Sequence, residues 1–148
     1  MATSPTALKS EGNALFTARN YEGAMERYGA AIVATEATAA PPPELLRDLY
    51  ANRSAAHLKL GLHQQALLDA QAALAIDPRH AKSSWRSAVA LRELGRLGDA
   101  EALLIGALAA GGGGGGAAEL TGLLVEIRGV RGLLARPPRI STLSLIHI

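Results

Sequence analysis

The chain contains no cysteine, which excludes disulfides, thiolate-bound metal and thiol nucleophiles. Aromatic residues are scarce, with one Trp, three Tyr and one Phe in 148 residues. Since 49% of the residues are nevertheless apolar, the core has to be built from Ala and Leu. No apolar run approaches the ~20 residues needed for a membrane-spanning helix, so no membrane partner is expected. The start, MATSPTALKSEG, has neither the apolar core of a secretory signal nor an Arg-rich amphipathic character, and a cytoplasmic location is expected.

A charge excess of one sign is also lacking over most of the length. From Leu8 to Ala110, eleven Lys and Arg stand against eleven Asp and Glu. The net charge of +2 comes from Arg128, Arg131, Arg136 and Arg139 set against Glu119 and Glu126. A basic tail is not a basic groove, so no nucleic-acid partner is expected. Signals for catalysis are equally thin. His57 and His63 are six apart rather than four, and His80 falls in a connection. The glycine run 111–116 follows no strand and precedes no Lys-Ser/Thr pair, so it is not a phosphate loop. A non-enzymatic chain without cofactor or metal is expected, its histidines being bystanders.

What is present is a repeat. Arg47 to His80 spans thirty-four residues and reads as two antiparallel helices, with a turn at Gly61-Leu62 and a stop at Asp77-Pro78. Small residues Ser54, Ala66 and Ala73 mark where the helices approach, and Tyr50, Leu58, Leu67, Leu74 and Ile76 fill the inward positions. Thirty-four residues on, Ser54, Gly61, Ala66 and Ala73 map to Ala88, Gly95, Ala100 and Ala107. Forty-two residues back, Ser54, Ala66 and Ala73 map to Gly12, Ala24 and Ala31. A hairpin of this kind cannot bury its apolar face alone, so three stacked copies are expected. The eight extra residues between copies one and two lengthen a helix and its connection, and Pro43 suits the first turn of the helix that follows.

The expected organisation is a disordered lead-in at 1–6, then a three-repeat domain at 7–110 with repeats at about 5–38, 47–80 and 81–110. A polyglycine linker at 111–116 leads to a capping helix at 117–136. Its apolar positions 120, 123, 124, 127, 130, 133 and 134 share one helical face that should dock on repeat three. Residues 137–148 are read as an unstructured tail. Its ending STLSLIHI resembles translated adapter read-through, so the tail is read as non-native; on that reading the true C-terminus is not this one, and whether a further client-binding or catalytic domain belongs there is left open.

The pattern resembles the tetratricopeptide repeat, through Gly12-Asn13, Tyr21, Ala24, Tyr28 and Ala31 in the first copy and Asp77-Pro78 closing the second. Ser54 and Ala88 stand where that family has glycine, and His63 and Leu97 where it has Tyr. The resemblance implies an all-α, right-handed superhelical stack of three hairpins plus a capping helix, with the first helices lining a concave groove. There, Lys9 and Asn13 are four apart on one helix, Lys82 and Arg86 four apart on another, and Asn52 lies on the helix between.

These five, in KSEGN, ANRSA and KSSWR, resemble the dicarboxylate clamp of co-chaperone tetratricopeptide domains. That clamp holds the C-terminal Glu-Glu-Val-Asp of the 70 and 90 kDa heat-shock chaperones. Phe16, Ala55 and Lys59 match further groove positions of that family. One Lys and Asn four apart ordinarily make only a solvated face, but five matches in register across three helices outweigh that reading. The run DLYANR and the lengthened link between repeats one and two are most similar to the N-terminal domain of UCS-type myosin chaperones. The resemblance implies a monomeric adaptor binding heat-shock chaperone tails. A generic repeat scaffold for another peptide or helix is the alternative.

Overall fold

The computed structural model describes residues 3–111 and 115–136, which form seven α-helices and no strand. They are α1 (Pro5–Thr17), α2 (Tyr21–Glu36), α3 (Pro43–Lys59), α4 (His63–Ile76), α5 (Ala81–Glu93), α6 (Leu97–Ala109) and α7 (Ala117–Ala135). Each helix packs on the next, and α5 also touches α3 and α7, so three antiparallel hairpins stack into a solenoid closed by α7. The expected tail at 137–148 and the middle of the glycine run, 112–114, lie outside the described residues.

The first helix begins earlier than the sequence reading placed it. Pro5 occupies its first turn and Ser4 caps it, the hydroxyl accepting from the Ala7 N–H at 3.2 Å. The lead-in read over 1–6 therefore runs into helix at Pro5. Pro43 likewise occupies the first turn of α3, which has no side-chain cap. The turns inside repeats two and three place Gly61 and Gly95 at φ of 74° and 77°, where glycine avoids a Cβ clash. Repeat one puts Arg19 at the equivalent conformation, φ 64°, and caps α2 with Asn20 instead.

The close approaches inside each hairpin explain the small residues. A Cβ at Gly12 would lie 2.6 Å from Cε1 of Tyr28, so glycine is needed where that ring packs. The positions equivalent to Tyr28 are Ala70 and Leu104, and Ser54 and Ala88 are fully buried opposite them in sequence register. The added hydroxyl of Ser54 is satisfied by donating to the Ala66 carbonyl at 2.8 Å.

The core has two parts. One joins Leu8, Tyr28, Ile32 and Leu49 across repeats one and two. The other joins Leu67, Leu91 and Leu104 to Leu120, Leu123, Leu124 and Ile127 of α7. Burying those four side chains of α7 is worth roughly 6–12 kcal/mol as an upper bound. That exceeds the ~1 kcal/mol lost at each of Gly122, Gly129 and Gly132. Ion pairs from Arg92 to Glu126 at 3.1 Å, and from Arg128 at 3.0 Å and Arg131 to Glu101, tie the helix further. Two of the arginines behind the net positive charge are thus paired. The expected apolar face is buried only over its first half, because α7 has 19 residues and α6 only 13. Val130, Leu133 and Leu134 overhang and stay exposed.

Candidate functional site

Three helices, the first of each hairpin, supply the groove. Lys9, Asn13, Asn52, Lys82 and Arg86 line one cavity of about 320 Å³, together with Asp48, Ala51 and His80. A second cavity of about 200 Å³ shares Asn13, Asn52 and Arg86 and adds Phe16, Thr17, Tyr28 and Ala55. Seven of the eight residues singled out in the sequence are thereby brought together. Lys59 is the exception. It is the last residue of α3, and its ammonium sits 6.0 Å from the ring centroid of Tyr21, a cation–π arrangement at the helix end.

The polar atoms of the groove are held in place by one another. The Tyr28 hydroxyl donates to Oδ1 of Asn13 at 2.6 Å, and Nδ2 of Asn52 donates to the same oxygen at 3.3 Å. This orients both amides and leaves the Nδ2 donors of Asn13 for a ligand. Arg86 donates from Nη1 to the carbonyl of Ala51 at 2.8 Å, across the boundary between repeats two and three. Among the described residues no carboxylate pairs with Arg86 or Lys82. Burial pushes the Arg86 guanidinium below its ordinary pKa, with Tyr28 partly opposing. Arg86 is a cation already stripped of part of its water, with no counter-charge. A bound anion would relieve that penalty.

Four groove components escaped the sequence reading. Asp48 lies one helical turn before Asn52, on the same face of α3, and that spacing is a signal that could have found it. Its carboxylate accepts from Lys9 at 3.5 Å and from Arg47 at 3.0 Å, while Arg47 also reaches Asp77 at 3.3 Å. His80 sits just before α5, its Nδ1 2.7 Å from the Ser83 hydroxyl. Burial first, then the charge of Arg47, holds its pKa below the ordinary 6.5. The Ala51 carbonyl and the Tyr28 hydroxyl complete the set. Trp85 is 39% exposed and lines a larger cavity of about 760 Å³ beside the groove, with His80, Lys82 and Arg86.

Among the described residues no three His, Asp or Glu side chains cluster as metal ligands, and no helix is long and apolar enough to cross a membrane. With His80 neutral, Lys9, Lys82 and Arg86 against Asp48 leave the cavity at a charge of +2. Its donors suit an anionic, backbone-bearing ligand.

The stack superposes on the Sgt2 tetratricopeptide-repeat domain from Aspergillus fumigatus with a TM-score of 0.75 and 28% identity, covering 93% of this chain and 87% of that one. The chain has the tetratricopeptide-repeat fold. The second such domain of human RPAP3, solved in complex with the HSP70 peptide SGPTIEEVD, matches at a TM-score of 0.68 and 26% identity, over 84% of this chain and 98% of that one. In sequence, this repeat domain is 39% identical over 93 residues to human zinc finger CCCH domain-containing protein 7B, matching 60% of this chain and 10% of that protein. It is 38% identical over 93 residues to mouse protein unc-45 homolog B, matching 63% of this chain and 10% of that protein. The similarity to a UCS-type protein expected from DLYANR is thus present, beside a comparable identity to a zinc finger protein. The chain spans about a tenth of the length of these two relatives. No family model matches the chain.

Proposed function

We propose that this domain is a dicarboxylate clamp that binds the C-terminal Glu-Glu-Val-Asp of cytosolic 70 and 90 kDa heat-shock chaperones. In this reading it serves as a cytoplasmic, non-enzymatic adaptor. The observation that carries it is the pair Lys82 and Arg86, which have no carboxylate partner among the described residues and share one cavity with Lys9, Asn13 and Asn52. A peptide ending in Asp brings two carboxylates at one residue, which matches the +2 of the cavity. Each charge-assisted hydrogen bond to them is worth ~1.5–3 kcal/mol net. Nδ2 of Asn13 and Oδ1 of Asn52 are left to hold the peptide backbone beside the terminal residue. The apolar wall of Phe16 and Ala55 lies next to the clamp and suits a side chain further up the peptide. The human RPAP3 domain of similar fold, solved with a peptide ending in EEVD, supports the same assignment.

Calorimetric titration of an acetylated peptide ending Glu-Glu-Val-Asp tests the reading. Lys82→Ala is expected to lose about ten- to a hundredfold in affinity while leaving the thermal unfolding midpoint unchanged, because Lys82 is exposed. Undiminished binding by that variant would remove Lys82 from the site and leave a repeat groove with some other ligand.

A further inference from the structure

One groove carboxylate has the wrong sign for the ligand. Asp48 stands in the cavity among the clamp residues, and its Oδ2 lies 3.5 Å from the Lys9 ammonium. We propose that Asp48 is a built-in competitor: it occupies Lys9 as a ligand carboxylate would, and so holds the affinity of the groove below what its cations could provide. The inference rests on the clamp reading above and concerns the strength of that same site.

The geometry favours competition over orientation. Lys9 and Asp48 are each roughly one-third exposed, at 27% and 34%, and exposed ion pairs at this separation are weak and easily exchanged. Asp48 itself is not free to leave. Arg47 holds its Oδ1 at 3.0 Å and is anchored on the other side by Asp77 at 3.3 Å. When Lys9 swings to an incoming carboxylate, the Asp48 charge therefore stays beside the ligand and repels it. Arg47 offers incomplete compensation, because its own charge is shared between two aspartates. Without Asp48, the same cavity would present three cations and no anion.

Asp48→Asn keeps size and polarity and removes only the charge. The variant is expected to bind the acetylated Glu-Glu-Val-Asp peptide about three- to tenfold more tightly than the wild type, with a steeper loss of affinity as salt rises. Lys9→Ala should then cost more in the Asp48→Asn background than in the wild type, since Lys9 is no longer shared. Unfolding midpoints of all four proteins check that the fold is retained. Equal or weaker binding by Asp48→Asn would overturn the proposal and make Asp48 a residue that positions Lys9. An amidated peptide run alongside separates the two levels. If the wild type prefers acid to amide but Asp48→Asn gains nothing, only this inference fails. If the wild type binds acid and amide equally, the clamp reading fails and takes this one with it.

Discussion

Arg86, on the first helix of repeat three, donates to the carbonyl of Ala51, on the first helix of repeat two, at 2.8 Å. The main chain of one repeat thus aims the cation of the next, and no carboxylate is consumed in doing so. The planar fork of arginine can make this bond and still present its other N–H groups to a ligand. Lysine cannot do both with fixed geometry. Arg86→Lys is expected to keep the fold and the charge and still lose about three- to tenfold in affinity for the Glu-Glu-Val-Asp peptide, read by calorimetry with circular dichroism as the control.

Gly12 and Tyr28 link the core to the groove. The ring that packs against Gly12 carries the hydroxyl that orients Asn13. Gly12→Ala forces that ring to move and is expected to destabilise the domain by about 1–3 kcal/mol in urea unfolding. Tyr28→Phe leaves the packing intact, costs about 0.5–1.5 kcal/mol, and should weaken peptide binding by freeing the Asn13 amide to rotate.

His80 gives the groove a pH dependence. In the free protein its pKa lies below 6.5, through burial and the charges of Arg47 and Arg86, with Asp48 and Asp77 opposing. The unfolded chain therefore takes up this proton first as pH falls. The contribution to stability is complete above 6.5 and is lost as pH drops through 6.5 to the folded-state value. Binding has the opposite sign, because a carboxylate held by Lys82 and Arg86 raises the His80 pKa above that of the free protein. Affinity should rise as pH is lowered through and below 6.5, and His80→Gln should flatten both the binding and the stability profiles.

The cap divides along its length. Leu120 is fully buried against repeat three, whereas Leu134 is 74% exposed. Leu120→Asp is expected to cost about 3 kcal/mol or more and to release amide protection throughout α7, while Leu134→Asp should change stability by less than about 0.5 kcal/mol. Hydrogen exchange of the two variants compares them directly.

The hairpins were legible because the small residues and the turns recur in phase, and phase is a property of sequence. Ser54 and Ala88 could stand for glycine because no ring occupies the positions equivalent to Tyr28. Lys9, Asn13, Asn52, Lys82 and Arg86 were readable from helical spacing joined to a resemblance. Register alone could not place Lys59, whose position at the end of α3 turns it toward Tyr21. Asp48 was not legible as a groove residue because an anion one turn from Asn52 runs against the sign of the cationic pattern around it. The exposed end of α7 depends on the relative lengths of two helices, which an apolar stripe does not disclose. Ser4-Pro5 is a helix-start signal, an N-cap hydroxyl followed by a first-turn proline, and it places the start of α1 inside the expected lead-in.

The free C-terminus is the feature that separates a dicarboxylate clamp from any other repeat groove. The most direct measurement is calorimetry of the wild-type domain with two acetylated peptides ending Glu-Glu-Val-Asp, one with a free terminal carboxylate and one amidated. The clamp predicts that the amidated peptide binds about ten- to a hundredfold more weakly, and that rising salt narrows the gap. Equal affinity for the two peptides would contradict it.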